Sequence, residues 1–181
     1  LKGNIDLPSE LDFLMQTGVD GIGLLRSEYM YLNRNDLPDE DEQFALLKSL
    51  SEKIEGKPVT FRTIDAGADK GTPLPESCKT VNPALGLRGI RYMRQYEKLL
   101  KDQFRAALRA AASADIRLLL PMVCSVDEVI QARALLEECA AELRAEGKEV
   151  PDKPPLLGVM MEVPSAAMEA DTIAEHCDFF S

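Results

Sequence analysis

The chain has a single histidine, His176, and four cysteines, none of them spaced as C-x-x-C. A zinc site needs Cys and His clustered at close spacing, so this sequence argues against one. Cys78, Cys124, Cys139 and Cys177 are scattered, and reduced, mostly buried thiols are expected. No apolar run is long enough to span a membrane. The opening residues, LKGNIDLPSE, contain no apolar signal-peptide core. A cytoplasmic protein without membrane insertion is the expectation. Positive charge is also short: 21 Lys and Arg stand against 31 Asp and Glu, a net charge of −10. General nucleic-acid binding requires a basic face and is disfavoured. A small anionic ligand remains compatible, provided that a few Arg and Lys are concentrated at one site.

What is present is ordinary globular composition. The 181 residues, 45% hydrophobic and 29% charged, suffice for one domain with an apolar core. Helical and strand patterns alternate along them. Residues 8–18 read as a short helix with Leu11, Leu14 and Met15 on one face and Gly18 as its stop. An apolar run follows at 21–25. Residues 39–55 are amphipathic, with Phe44, Leu47, Leu50 and Ile54 on one side, between Pro38 and Gly56. Residues 58–61 are β-prone, and a polar, glycine-containing loop spans 65–83. Residues 85–113 read as helix in one or two pieces, and 116–120 as the next strand. Ser125 and Glu128 have the spacing of a capping box and open a helix to 146. Then come a strand at 156–161, a helix at 164–175 and the start of a strand at 178–180.

These strand runs are nearly continuous in apolar residues, as in parallel strands buried on both faces. Alternation with helices gives βαβ units. No internal repeat or domain boundary is visible. Two architectures fit: a doubly wound open sheet and a (β/α)8 barrel. The first should open with G-x-G-x-x-G. The only G-x-G, Gly21-Ile22-Gly23, sits inside an apolar run and opens no helix.

Charge interrupts the runs at informative places. Arg26 follows 21–25, with Glu28 two residues on. Arg62 follows 59–61, with Asp65 next. Glu162 follows 159–161. Active sites of barrels are built at that carboxyl end. Converging arginines repel unless an anion lies between them, and their planar forks match carboxylate and phosphate oxygens. A carboxylate such as Glu162 is a ligand type that Mg²⁺ accepts, completing its shell with water and substrate phosphate. One charged strand end is commonplace where water begins; three together favour an anion site. The loop at 65–71, with Gly67, Gly71 and Lys70, reads equally as an anion cradle or a solvated turn.

The segments Gly21-Ile22-Gly23-Leu24-Leu25-Arg26-Ser27-Glu28, Pro58-Val59-Thr60-Phe61-Arg62-Thr63-Ile64-Asp65 and Asn82-Pro83-Ala84-Leu85-Gly86-Leu87-Arg88 resemble motifs of the phosphoenolpyruvate-utilising enzymes. So do Leu119-Leu120-Pro121-Met122-Val123, Val159-Met160-Met161-Glu162-Val163-Pro164 and Asp178-Phe179-Phe180-Ser181. The resemblance runs along essentially the whole chain. The loop from Asp65 to Lys70 is most similar to that of the Enzyme I group and its nitrogen-related paralogue, with Ala68 in place of the commoner Gly.

The resemblance implies a (β/α)8 TIM barrel, present in part as strands 1–5 and the start of strand 6, over residues 1–181. It implies phosphoenolpyruvate as substrate, Mg²⁺ as cofactor, transfer of the phosphoryl group to a histidine and then to a histidine phosphocarrier protein, and a homodimeric parent. Arg26 and Arg62 would grip the phosphate, Lys70 and Arg88 would also contact the substrate, and Glu162 would be one of two metal ligands. The family's second metal ligand, a further substrate Arg, the acid cysteine and the phosphohistidine match no position here. His176 reads as a helix-end or loop residue. A full barrel takes about 250 residues. A fragment of a longer polypeptide, inactive by itself, is therefore expected. Two other readings share the barrel: a Mg²⁺-dependent keto-acid lyase or aldolase, and a non-catalytic dimerisation barrel.

Overall fold

The structure, a computed structural model, describes residues 1–32, 34, 36–65 and 86–181. Lys70, Cys78 and the loop after Asp65 lie outside the described residues. Six strands form one parallel sheet: β1 (Gly3–Ile5), β2 (Ile22–Arg26), β3 (Val59–Arg62), β4 (Ile116–Leu120), β5 (Leu157–Val159) and β6 (Phe179–Phe180). Neighbours in the chain are neighbours in the sheet. A doubly wound sheet reverses its strand order at a switch point, and the order of the described strands contains no such reversal.

The helices are α1 (Leu11–Gln16), α2 (Glu40–Lys53), α3 (Ile90–Gln95), α4 (Glu97–Ala111), α5 (Val126–Ala145), α6 (Pro164–Met168) and α7 (Ala170–Ala174). Apolar residues at helical spacing are buried: Leu47 and Leu50 on α2, Leu100, Phe104 and Leu108 on α4, Leu136, Cys139 and Leu143 on α5. They join Leu25, Phe61, Leu118, Leu120 and Val159 of the sheet in one core. Every residue of β3 and β5 is buried, as the unbroken apolar runs require.

α2 packs on α4 and α4 on α5, and charges tie their outer edges. Glu40, at the start of α2, accepts hydrogen bonds from Arg105 and Arg109 of α4 and from Lys148 beyond α5. Arg105 also reaches Glu142 and Glu146. Burial alone would raise the Glu40 carboxyl, but the bonds from Arg105, Lys148 and Arg109 outweigh it and hold the group at about 2. Glu40 therefore stays ionised, and it also lies where the helix dipole favours an anion. A network of this kind is a firmer brace than isolated surface pairs.

Several local expectations shift. Residues 8–18 are a 3-10 turn, Pro8–Glu10, followed by α1. The helix expected from 85 begins only at Ile90, and Tyr96 divides it into α3 and α4. The helix expected over 164–175 is broken at Glu169 into α6 and α7. Ser125 makes no side-chain cap; Glu128 instead accepts from the Cys124 amide at 2.6 Å, one residue before the expected box. Cys124, Cys139 and Cys177 are free thiols, and burial pushes Cys139 up to about 12. Among the described residues, no helix is long and apolar enough to cross a membrane.

Candidate functional site

All strands run the same way, so their carboxyl ends share one rim. Arg26 and Arg62 are the last residues of β2 and β3 and are partners in the register between them. Like charges on neighbouring strand ends repel. The chain offsets this with its own carboxylates. Arg26 Nη1 donates to Asp6 Oδ2, just beyond β1, at 2.9 Å. Arg62 Nη2 donates to Glu28 Oε1 at 2.6 Å, and its Nη1 lies 3.6 Å from Asp65 Oδ2. Arg88 grips Asp65 in bidentate fashion through one edge of its guanidinium, Nε at 2.7 Å and Nη2 at 2.9 Å. The sequence predicts an outside anion between the arginines; the structure places Asp6, Glu28 and Asp65 beside them.

These six residues, with Leu7, Tyr29 and Leu32, line one cavity of about 490 Å³. That size suits a small-molecule site. Among the described residues that line it, three arginines face three carboxylates, so their formal charges cancel. Two donors at the cavity are unused. Arg62 Nε and the Tyr29 hydroxyl are buried and take no hydrogen bond among the described residues. Burial pushes the Tyr29 hydroxyl far above its ordinary range, so it remains protonated. Buried donors without partners are uncommon, and a polar ligand or water in the cavity would satisfy them.

Glu162 reaches the same rim but does not line this cavity. It follows β5, is exposed, and accepts from the Met122 amide at 2.8 Å through Oε1. Met122 itself, just after β4, has a left-handed backbone with φ of 59°. The step from Glu162 towards the arginines is Met160, two residues earlier, whose sulfur lies 3.8 Å from Arg62 Nη1. Among the described residues, no group of three or more His, Cys, Asp or Glu is arranged to hold a metal. Mg²⁺ requires less: one or two carboxylates, the remaining positions being filled by water and substrate oxygens. Glu162 offers one such carboxylate, whose second oxygen accepts no hydrogen bond among the described residues. His176 follows α7, and its carbonyl accepts from Arg133 Nε at 3.0 Å.

The structure thus brings Arg26, Arg62 and Arg88 together and sets Glu162 apart; Lys70 lies outside the described residues. Sequence reasoning assigned no role to Asp6, Glu28 or Asp65. Glu28 and Asp65 could have been found, since each stands within three residues of a strand-end arginine. Asp6 gave no such signal, because β1 before it was not recognised.

The family described as "PEP-utilising enzyme, PEP-binding domain" matches residues 1–181. Phosphoenolpyruvate-protein phosphotransferase of Priestia megaterium is 41% identical over all 181 residues, which cover 31% of that protein. The protein of the same name from Staphylococcus carnosus is also 41% identical, with 31% of its length covered, and that of Bacillus subtilis is 39% identical, with 32% covered. The chain spans about a third of the length of these curated relatives. Matched from its first residue to its last, the chain belongs to the family of PEP-utilising enzymes, within their PEP-binding domain.

Proposed function

We propose that the cavity between the ends of β1, β2 and β3 binds phosphoenolpyruvate, and that the chain is the substrate-binding part of a phosphoenolpyruvate-protein phosphotransferase. One observation carries this reading: three arginines, each held by a carboxylate, line one small cavity in a chain of this family. The relatives' name states the reaction, and the resemblance supplies its course. The bond from phosphorus to the enol oxygen breaks, a bond from phosphorus to a histidine nitrogen forms on a separate domain, and the enolate released takes a proton at carbon and leaves as pyruvate. The phosphoryl group then passes to a small histidine phosphocarrier protein.

The residues here do the binding and neutralising. Charge on a transferring phosphoryl group spreads over its oxygens, so fixed guanidinium groups lower the barrier electrostatically. Arg26 and Arg62 hold the phosphate; Arg88 and Lys70 add contacts to the substrate. To enter, the ligand's oxygens use the free Arg62 Nε or take over donors now engaged with Asp6 or Asp65. Glu162 would hold Mg²⁺, which when bound neutralises further negative charge on the substrate.

In the same reading, the six-stranded sheet is the first part of a (β/α)8 barrel. Its sequential parallel order supports this, and further strands would pair with β1 and β6 to close it. The whole of residues 1–181 is then one partial barrel domain of a cytoplasmic, homodimeric parent. The lyase and non-catalytic alternatives gain no support from the family match.

The metal assignment has its own test. In Glu162→Gln, the Mg²⁺ concentration giving half-maximal phosphoenolpyruvate binding, read by calorimetry, is expected to rise roughly tenfold or more. An unchanged midpoint would remove Glu162 from the site.

A further inference from the structure

We propose that Glu28 is a positioning residue for Arg62, one that fixes the orientation in which this guanidinium meets the substrate; the proposal rests on the phosphoenolpyruvate reading of the cavity. The Arg62 side chain is only 8% exposed and that of Glu28 13%. A buried cation held by one good partner takes its orientation from that partner. Here the partner is Glu28. Its Oε1 accepts from Arg62 Nη2 at 2.6 Å, the one short charge-assisted bond that Arg62 makes among the described residues. The other Arg62 contacts are loose: 3.6 Å to Asp65 and 3.8 Å to the Met160 sulfur, with Nε unpartnered.

The same Oε1 also accepts from the Asp65 amide at 2.9 Å. One oxygen thus ties the segment after β2 to the end of β3. Asp65 cannot stand in for Glu28, because both its carboxylate oxygens are engaged by Arg88. If Arg62 turned to Asp65, Arg88 would lose part of its grip. Glu28 therefore keeps two arginines on two separate carboxylates.

The sign of the effect separates positioning from simple electrostatics. Glu28 is an anion at an anion site, so by charge alone Glu28→Gln should tighten phosphoenolpyruvate binding. Glutamine keeps an oxygen for the Asp65 amide but gives up the charge that holds the fork. Positioning predicts weaker binding.

The test uses the full-length protein, calorimetry, and two ligands: phosphoenolpyruvate and pyruvate, which lacks the phosphoryl group. Wild type should bind phosphoenolpyruvate. Glu28→Gln should weaken that binding about tenfold or more while moving pyruvate affinity by less than about twofold. In an Arg62→Lys background, where no planar fork remains to be oriented, adding Glu28→Gln should change phosphoenolpyruvate affinity by less than about twofold. Tighter or unchanged binding in Glu28→Gln would overturn the proposal and leave the site reading intact. Equal losses for both ligands, or the same loss in the Arg62→Lys background, would also overturn it, since Glu28 would then act through general structure. Failure of wild type to bind phosphoenolpyruvate would overturn the site reading itself, and this proposal with it. If Glu28→Gln does not fold, Glu28→Asp, which keeps the charge on a shorter arm, should show the same selective loss for phosphoenolpyruvate; equal losses for both ligands would overturn the proposal.

Discussion

Arg62→Ala should abolish phosphoenolpyruvate-dependent protein phosphorylation, with a loss of at least about 10³-fold in rate. Two effects combine. The variant loses a buried guanidinium aimed at the rim, with its free Nε. It also upsets the balance among the described lining residues, where three arginines face three carboxylates; with Arg62 gone, two arginines face three carboxylates and attract the anionic substrate less. Glu28 and Asp65 stay behind without their shared cation. Arg26→Ala should also abolish the reaction. Its side chain is 46% exposed, so water compensates Asp6 more readily and the fold suffers less. Transfer of labelled phosphoryl group to the protein is the readout, with circular dichroism as the check on folding. Near-normal rates in either variant would refute the role given to that arginine.

Gly21→Ala is expected to cause the largest loss of stability, about 3 kcal/mol or more. Gly21 lies at the start of β2 with φ of 144°, a backbone conformation that an L-residue rarely takes. A Cβ there would stand 2.6 Å from the Pro58 carbonyl oxygen and 2.9 Å from the Pro58 ring. That oxygen cannot easily move, because it accepts the Ile22 amide at 2.8 Å where β2 begins to pair with β3. Alanine would push apart the two strands that end in Arg26 and Arg62. Gly18→Ala is the control: φ is 75°, but a Cβ there meets nothing within 4 Å, so only backbone strain of about 1–2 kcal/mol is expected. Urea midpoints of the two variants would decide. A Gly21 variant no less stable than the Gly18 variant would contradict the close approach.

The glycine pair also shows what was legible in the sequence. Gly21-Ile22-Gly23 leads into β2 and opens no helix, yet the backbone requirement at Gly21 depends on Pro58, the residue before β3. Long elements were readable because their periodicity spans several turns: α5 over residues 126–145, and β4 at Ile116–Leu120 with the bounds that its apolar run marks. β1 was not, since Gly3–Ile5 offers three residues with Ile5 alone buried. The break at Glu169 depends on backbone angles that no composition signals.

At the site, the strand-end charges were visible but their partners were not. Linear spacing finds that Arg26 and Arg62 end strands; only strand order makes them neighbours. The same order leaves β4 between β3 and β5, which separates Glu162 from the arginines. The three carboxylates come from segments after β1, after β2 and after β3, so their convergence is a property of the fold.

A crystal structure of the full-length protein with phosphoenolpyruvate and Mg²⁺ bears on the assigned site without intermediaries. Phosphate oxygens should lie within about 3 Å of guanidinium nitrogens of both Arg26 and Arg62. Ligand density elsewhere, with no phosphate oxygen near either arginine, would show that the cavity serves another purpose.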